Sequence, residues 1–497
     1  MQKKIRAVLV AALLPAMLAL TATAQTVNFS QQRWLTGPTP TGIVTGDFNR
    51  DGNPDLAVTD RQANRVTIIL NQGGGHFAFG PDYPAGSEPH QLVTADFNHD
   101  GILDLAIANS GSGEGTVTIL LGNGNGTFRA GTPVDIGSGN NAVAIAAADF
   151  NRSGIPQLAV VQCDPDTDCG LRIYRSDGAG VFSLAQIVTL SSGVPTFGEV
   201  FSLGLIAIDD FNLDGRPDVA VGNSNQVFVF TDTSAGTLQQ HTTITPNNTS
   251  SIVALASGHF NGDAGPDLVI RVFDNSTSTN RPNSEVVYLN NGSGFFTLRS
   301  RISGSSLLNF GGLTAVGDVS GNLIDDIISA AATSQNSGIQ YALGNGDGFF
   351  RAPVAVTDNP QIQSGPGGLA LRDINLDSRR DILITSQSQS QPAAFIYLNT
   401  SAPTNCRPPG SAHLAVNICT PAANANVPSQ FTVSASGNSP AGVKRLEVWV
   451  DGVKRTQHFS DQLRATIALG HGSHNLTVVG VDLYDAIVKK TITIHAP

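Results

Sequence analysis

One twelve-residue pattern recurs seven times, and few folds accommodate that. The copies are DFNRDGNPDLAV from Asp47, DFNHDGILDLAI from Asp96, DFNRSGIPQLAV from Asp149, DFNLDGRPDVAV from Asp210, HFNGDAGPDLVI from His259, DVSGNLIDDIIS from Asp318 and DINLDSRRDILI from Asp373. Their starts lie 49 to 61 residues apart. A repeat of that length is a supersecondary unit that buries its apolar surface only against its neighbours. Before each copy runs a small-residue apolar strand, such as GIVTG or GLTAVG. After it come an apolar strand (DLAV), a third strand such as Val66–Leu70 or Val117–Leu121, and a glycine-rich turn ending in Phe. Four short strands joined by turns make a propeller blade. The seventh unit stops at Ala394–Asn399 without an outer strand, and Thr26–Trp34 supplies one from the front of the chain. Closing the ring this way removes exposed sheet edges, whereas a solenoid would need polar caps. The expected fold is all-β, with a seven-bladed β-propeller over residues 25–400.

In the first, second, fourth and seventh copies, positions 1, 3, 5 and 9 carry oxygen-bearing side chains, and position 7 offers its backbone carbonyl. Such a hard, all-oxygen set with several negative charges suits Ca²⁺ better than Mg²⁺, which demands strict octahedral geometry and keeps its waters. The candidate ligands are Asp47, Asn49, Asp51, Asn53 and Asp55 in the first copy, and Asp96, Asn98, Asp100, Ile102 and Asp104 in the second. In the fourth they are Asp210, Asn212, Asp214, Arg216 and Asp218, and in the seventh Asp373, Asn375, Asp377, Arg379 and Asp381. Asn53, Ile102, Arg216 and Arg379 enter through their carbonyls. The first six positions also match an EF-hand, but Val58 stands where its Glu would be and a strand follows instead of a helix. Asp, Asn and Gly also make plain polar turns, which is the competing reading for any single copy. Three copies depart: 149–157 has Ser153 and Gln157, 259–267 begins with His259 and has Ala264, and 318–326 has Ser320 and Asn322. About four calcium sites are expected, with the fifth and sixth copies marginal and the third not binding.

At these residues the unit resembles the FG-GAP repeat, also known in bacteria as the VCBS-type repeat and found in the seven-bladed head of integrin α-subunits. The resemblance covers roughly Gln25 to Thr400. It implies calcium held between two strands of a blade by the positions just named. FAFGP (Phe77–Pro81) and FRAP (Phe350–Pro353) come nearest to the tracts that give that repeat its name. No inserted domain of the integrin kind is visible.

Residues 1–24 have a basic start, a short apolar run and Ala22-Thr23-Ala24 before Gln25, the pattern of a cleaved secretory signal. No other segment is long and apolar enough to span a bilayer. The net charge of −11 argues against nucleic acid and anionic membranes. In an exported chain, the close pairs Cys163/Cys169 and Cys406/Cys419 read as local disulfides. Residues 401–412 form a Pro- and Ser-rich linker. Residues 413–497 hold about seven short strand patterns, with a hairpin signal at Asp451-Gly452, and are expected to form an Ig-like β-sandwich. That part resembles the bacterial Ig-like domains appended to secreted proteins. Trp449 reads as a packing residue, with sugar stacking as the alternative.

The histidines are scattered, and neither a His-Glu-x-x-His nor a Gly-x-Ser-x-Gly motif occurs. The favoured reading is a secreted or surface-exposed, monomeric, calcium-binding module for protein or glycan ligands. The alternatives are a polysaccharide lyase or glycosidase using a carboxylate pair in the channel, and a structural surface component.

Overall fold

The computed structural model describes residues 27–497 apart from 112–114, 138–139, 164–168, 191–204, 224, 234–235, 247–249, 275–283, 303–311, 333–336, 357–365, 378, 388–391, 402–405, 407–412, 440–441, 459–460 and 484. The expected signal segment lies outside the described residues, as does most of the linker.

The first blade is an antiparallel meander of Pro40–Gly46, Asp55–Asp60, Arg65–Asn71 and Phe77–Pro84, innermost strand first. Six further sheets of the same plan follow. In the second, the outer strand is split into Phe128–Ala130 and Val134–Asp135. Each innermost strand contacts its neighbour's, and the seventh returns to the first, so the ring is closed. Phe29–Trp34 completes the seventh blade, pairing antiparallel with Ala393–Asn399 from Phe29 opposite Asn399 to Trp34 opposite Ala394.

Burial explains the two textures of the strands. Every residue of Asp55–Asp60, Asp104–Asn109 and Asp381–Ser386 is buried, because a neighbouring blade covers each face. Such strands are continuous apolar runs rather than alternating ones. The outer strand Phe77–Pro84 alternates, with solvent on one side. The core therefore lies between blades: Phe48, Ala57 and Val66 of the first share a cluster with Leu105, Leu120 and Phe128 of the second. Near the axis the strands converge closely. A Cβ at Gly367 would stand 2.3 Å from the Pro40 carbonyl oxygen of the adjacent blade, which explains the small residues there.

The C-terminal domain packs a three-stranded sheet (Ala415–Thr420, Gln430–Asn438, Gln462–Ala468) on a five-stranded one that includes Val443–Val450, Val453–His458, Gly472–Asp482 and Ile487–Ala496. Its core includes Val433, Leu446, Val448, Val450 and Val478. Asp451 and Gly452 turn the expected hairpin, both at positive φ (51° and 78°), as a type I′ turn requires. Trp449 is not part of this core; it alternates with Val448 and Val450 and lies half-buried on the sheet's other face. Cys406 and Cys419 form a disulfide, with Cα atoms 5.2 Å apart. The backbones of Cys163 and Cys169 oppose each other at a hairpin end; their side chains lie outside the described residues. All described elements are strands, and none of the described residues forms a helix able to cross a membrane.

The sandwich sits against the face of the ring that carries the repeated loops. Gln457 donates to Asp210 Oδ2 (3.2 Å), Arg380 pairs with Asp461, and the His458 ring stacks on His259 at 3.6 Å between centroids.

Removing residues 27–34 would leave the edge at Ala393–Asn399 unpaired and strip Trp34 from Phe77 and Phe79. The truncated protein is expected to aggregate on size-exclusion chromatography and to lose its sharp calorimetric transition, whereas trimming only the residues before Val27 should do neither.

Candidate metal centre

Each loop is built by its own carboxylates. At position 1, Asp47 accepts from the N–H of Asp51 (3.1 Å) and Gly52 (3.0 Å). Asp96 does the same for Asp100 and Gly101, and Asp210 for Asp214 and Gly215. Position 5 accepts from position 7: Asn53 N to Asp51 Oδ1 (2.8 Å), Ile102 N to Asp100, Arg216 N to Asp214, Arg379 N to Asp377. The turn forces positive φ at position 4, for example Arg50 and His99. It does so again at position 6, where Gly52 (87°) and Gly101 (75°) relieve the strain.

Position 9 plays a part that spacing alone did not reveal. Asp55 is fully buried and joins two separate stretches, accepting the N–H of Phe48 (2.9 Å) and of Asn71 (2.7 Å) at the end of the third strand. Asp104 joins Phe97 to Gly122, Asp267 joins Phe260 to Asn290, Asp326 joins Val319 to Gly344, and Asp381 joins Ile374 to Asn399. Asp218 spans Asn212 and Asp232 likewise. The third copy has Gln157 here, buried with neither amide atom hydrogen-bonded. The carboxylate pattern therefore has a hydrogen-bonding rationale of its own.

The position-2 residue, unremarked in the sequence, ties each loop to the next blade. The rings of Phe48, Phe97, Phe211 and Phe260 meet those of Phe128, Phe182, Phe296 and Phe350 edge-on, with centroids 5.3 to 5.6 Å apart. These partners are the Phe residues that end the glycine-rich turns. The position-2 carbonyl also accepts from the following blade: Asn290 Nδ2 to Phe211 O (2.8 Å), Asn399 Nδ2 to Val319 O (2.8 Å), Asn71 Nδ2 to Ile374 O (2.7 Å). The signal was present as a repeated DF followed, two strands later, by a turn ending in Phe.

Among the described residues no three His, Cys, Asp or Glu side chains stand together as a ready metal cage. The donors still fit a hard cation. A carboxylate oxygen has two lone pairs, and in Asp55, Asp96 and Asp104 each oxygen accepts a single backbone N–H, whereas Asp51 Oδ1 accepts two hydrogen bonds, from Asn53 N and Nδ2. In the first two loops Asp51, Asp55, Asp96, Asp100 and Asp104 pair with no Lys or Arg among the described residues; the Arg50 guanidinium donates to the Gly101 carbonyl instead. Burial, reinforced by the Asp51 and Asp47 charges, pushes Asp55 up to about 7. Burial and the Asp100 and Asp96 charges do the same to Asp104. Burial with Asp210 and Asp214 pushes Asp218 up to about 8. The fourth and seventh loops differ in pairing a guanidinium with the position-5 carboxylate. The Arg216 guanidinium lies 2.8 Å from Asp214 and 3.1 Å from Asp232, and that of Arg379 pairs with Asp377. In the fifth copy His259 caps nothing, and its N–H goes to Asp325 (2.8 Å), one residue before the next blade's second strand.

Residues 47–107, 96–160 and 210–270 match the model of the FG-GAP-like repeat, and residues 415–478 match that of a bacterial Ig domain. The chain carries FG-GAP-like repeats and a bacterial Ig domain. The blade plan of these FG-GAP-like repeats continues through the sixth and seventh sheets, where the loops diverge in sequence. No curated protein matches the chain in sequence. Similar solved structures include BBS1N in complex with ARL6DN (11% identity, TM-score 0.49, 76% of this chain and 98% of that one). Others are an Agrocybe aegerita lectin solved for recognition of non-reducing terminal N-acetylglucosamine (19%, 0.42, 65% and 82%) and a Lactobacillus plantarum protein (15%, 0.46, 65% and 88%). Nothing about ligands passes from likenesses this distant.

Two measurements follow. Asp104→Leu leaves two buried N–H groups without acceptors and is expected to cost about 3 kcal/mol in urea unfolding, whereas Gln157→Leu removes an unsatisfied amide and should be neutral or stabilising. Asp55, Asp104 and Asp218 hold protons more tightly folded than unfolded. In chelator-stripped, dialysed protein their contribution is therefore full below about pH 4 and lost as pH rises through 7 to 8. The urea midpoint should accordingly be higher at pH 5 than at pH 8.

Proposed function

We propose that the chain is a secreted, calcium-binding propeller that serves as an extracellular binding module for protein or glycan ligands. The observation that carries this reading is the crowding of carboxylates in the first two loops, where the one guanidinium, that of Arg50, donates to the Gly101 carbonyl and pairs with none of Asp51, Asp55, Asp96, Asp100 and Asp104. A divalent cation is the natural complement of such a loop. Asp47, Asn49, Asp51, the Asn53 carbonyl and Asp55 would hold it in the first, and Asp96, Asn98, Asp100, the Ile102 carbonyl and Asp104 in the second. The ion would supply charge neutralisation and a tie between the loop and the strand behind it. The chain's own residues do the rest: position 9 anchors that tie to the third strand, and position 2 transmits it to the next blade.

The loops of the fourth and seventh blades offer the same oxygens, through Asp210, Asn212, Asp214, the Arg216 carbonyl and Asp218, and through Asp373, Asn375, Asp377, the Arg379 carbonyl and Asp381. There a guanidinium competes for the position-5 carboxylate, so weaker sites are expected. Affinities of ~10⁻⁴–10⁻³ M are usual for extracellular modules. The disulfide between Cys406 and Cys419 fits an oxidising compartment. A rigid ring presenting loops, with a sandwich seated on one face, fits a scaffold for recognition rather than a device that moves.

Saturating calcium should raise the melting temperature and EDTA should reverse it, with a gain of about 1.4 kcal/mol for each site held at ten times its Kd. Asp51→Ala with Asp100→Ala should abolish most of that shift, and Arg216→Ala should tighten one of the weaker sites in a calorimetric titration. An EDTA-insensitive melting curve would overturn the calcium reading.

A further inference from the structure

Between the sandwich and the third and fourth blades lies a cleft of about 840 Å³. Its propeller side includes the loops at Arg152 and Asp214, and its sandwich side the outward face of the five-stranded sheet around Trp449. We propose that this cleft binds a neutral oligosaccharide, with the Trp449 indole as its stacking platform. The proposal rests on the reading of the chain as a binding module, and it locates the ligand.

Four observations carry it. First, the volume lies in the range of small-ligand sites, which favour domain interfaces, and is too confined for a standard protein footprint. Second, the lining is charge-balanced. Its cations are Arg152, Lys444, Arg445, Lys454 and Arg455, and its anions are Asp149, Asp210, Asp214, Glu447 and Asp485. Many of these charges are already spent on one another. Arg445 and Lys454 lie 2.7 and 3.2 Å from Glu447, and Lys444 lies 2.8 Å from Asp485. Such a wall offers oriented donors and acceptors with little net field, which suits hydroxyl groups and not a polyanion or polycation.

Third, Trp449 faces away from the sandwich core, and its indole N–H is committed to Glu447 Oε2 at 2.8 Å. The ring edge is thereby fixed, and the half-buried indole lines the cleft, where its apolar surface can meet a sugar's C–H face. Fourth, Thr456 lines the same cleft, is 8% exposed, and its hydroxyl has no hydrogen-bond partner. A buried hydroxyl without a partner is costly, and a ligand hydroxyl would satisfy it.

The chain has two tryptophans, so Trp34→Phe leaves Trp449 as the single indole. That variant should be titrated with cellohexaose, xylohexaose, mannohexaose, maltohexaose and chitohexaose while its fluorescence is followed. At least one should give a saturable change. Trp449→Ala, read by calorimetry, should weaken that binding about tenfold or more, since an aromatic anchor contributes heavily to a small interface. Leu213→Arg, which puts a longer, charged side chain into the cleft from a 40% exposed position on the propeller side, should do the same with the melting temperature unchanged, which guards against a folding defect in the first variant. The proposal is overturned if none of the five saccharides binds. It is overturned too if binding survives both cleft variants, which would leave the binding-module reading intact with its site elsewhere. Loss of an array-detected matrix-protein contact in both variants, with no saccharide bound, would reassign the cleft to a peptide and equally overturn the proposal.

Discussion

In six of the seven blades one buried carboxylate pins the loop to the sheet. The aspartate at position 9 takes one N–H from the loop and another from the end of the third strand, as Asp55 does for Phe48 and Asn71. Two segments distant in sequence are thus pinned at a single desolvated point. Once the loop is pinned, the position-2 ring stands where the next blade's turn can pack on it edge-to-face. Blade formation and blade assembly therefore share one anchor. The negative charge that makes the anchor also makes it expensive, because burial and neighbouring carboxylates oppose its ionisation. The proposed calcium ion would resolve that conflict, and in the fourth and seventh loops an arginine goes part of the way.

Much of this was legible in the sequence, and the reason is periodicity. Seven copies with a missing outer strand at one end and a spare strand at the other leave little freedom in topology, and Phe29–Trp34 pairs with Ala393–Asn399 accordingly. Strand type was legible as well, because doubly covered strands such as Asp381–Ser386 must be continuously apolar. The loop oxygens could be named from spacing. What each oxygen does could not, since one aspartate serves equally as a cation ligand and as an acceptor for backbone N–H groups. Gln157 makes the distinction visible, because the blade is built there without the clip.

The seating of the sandwich was not legible. Gln457 meets Asp210 across 247 residues of sequence, and His458 meets His259 across a similar span. No repeat, period or motif links such residues; they meet because the sandwich lands on the loop face. The surroundings of Trp449 were equally hidden. Its neighbours Val448 and Val450 are core, and the alternation of a pleated strand sends the indole the other way, into the space between the domains. The repeated loops and the appended domain thus form one surface, with the fourth loop contributing to both.

Equilibrium dialysis of the full chain against radioactive calcium at millimolar concentration tests the central claim most directly. The account predicts two ions bound more tightly and up to two more weakly per chain, with the tighter pair lost in Asp51→Ala with Asp100→Ala. Retention of no calcium by the folded protein, or the same number in that double variant, would contradict it.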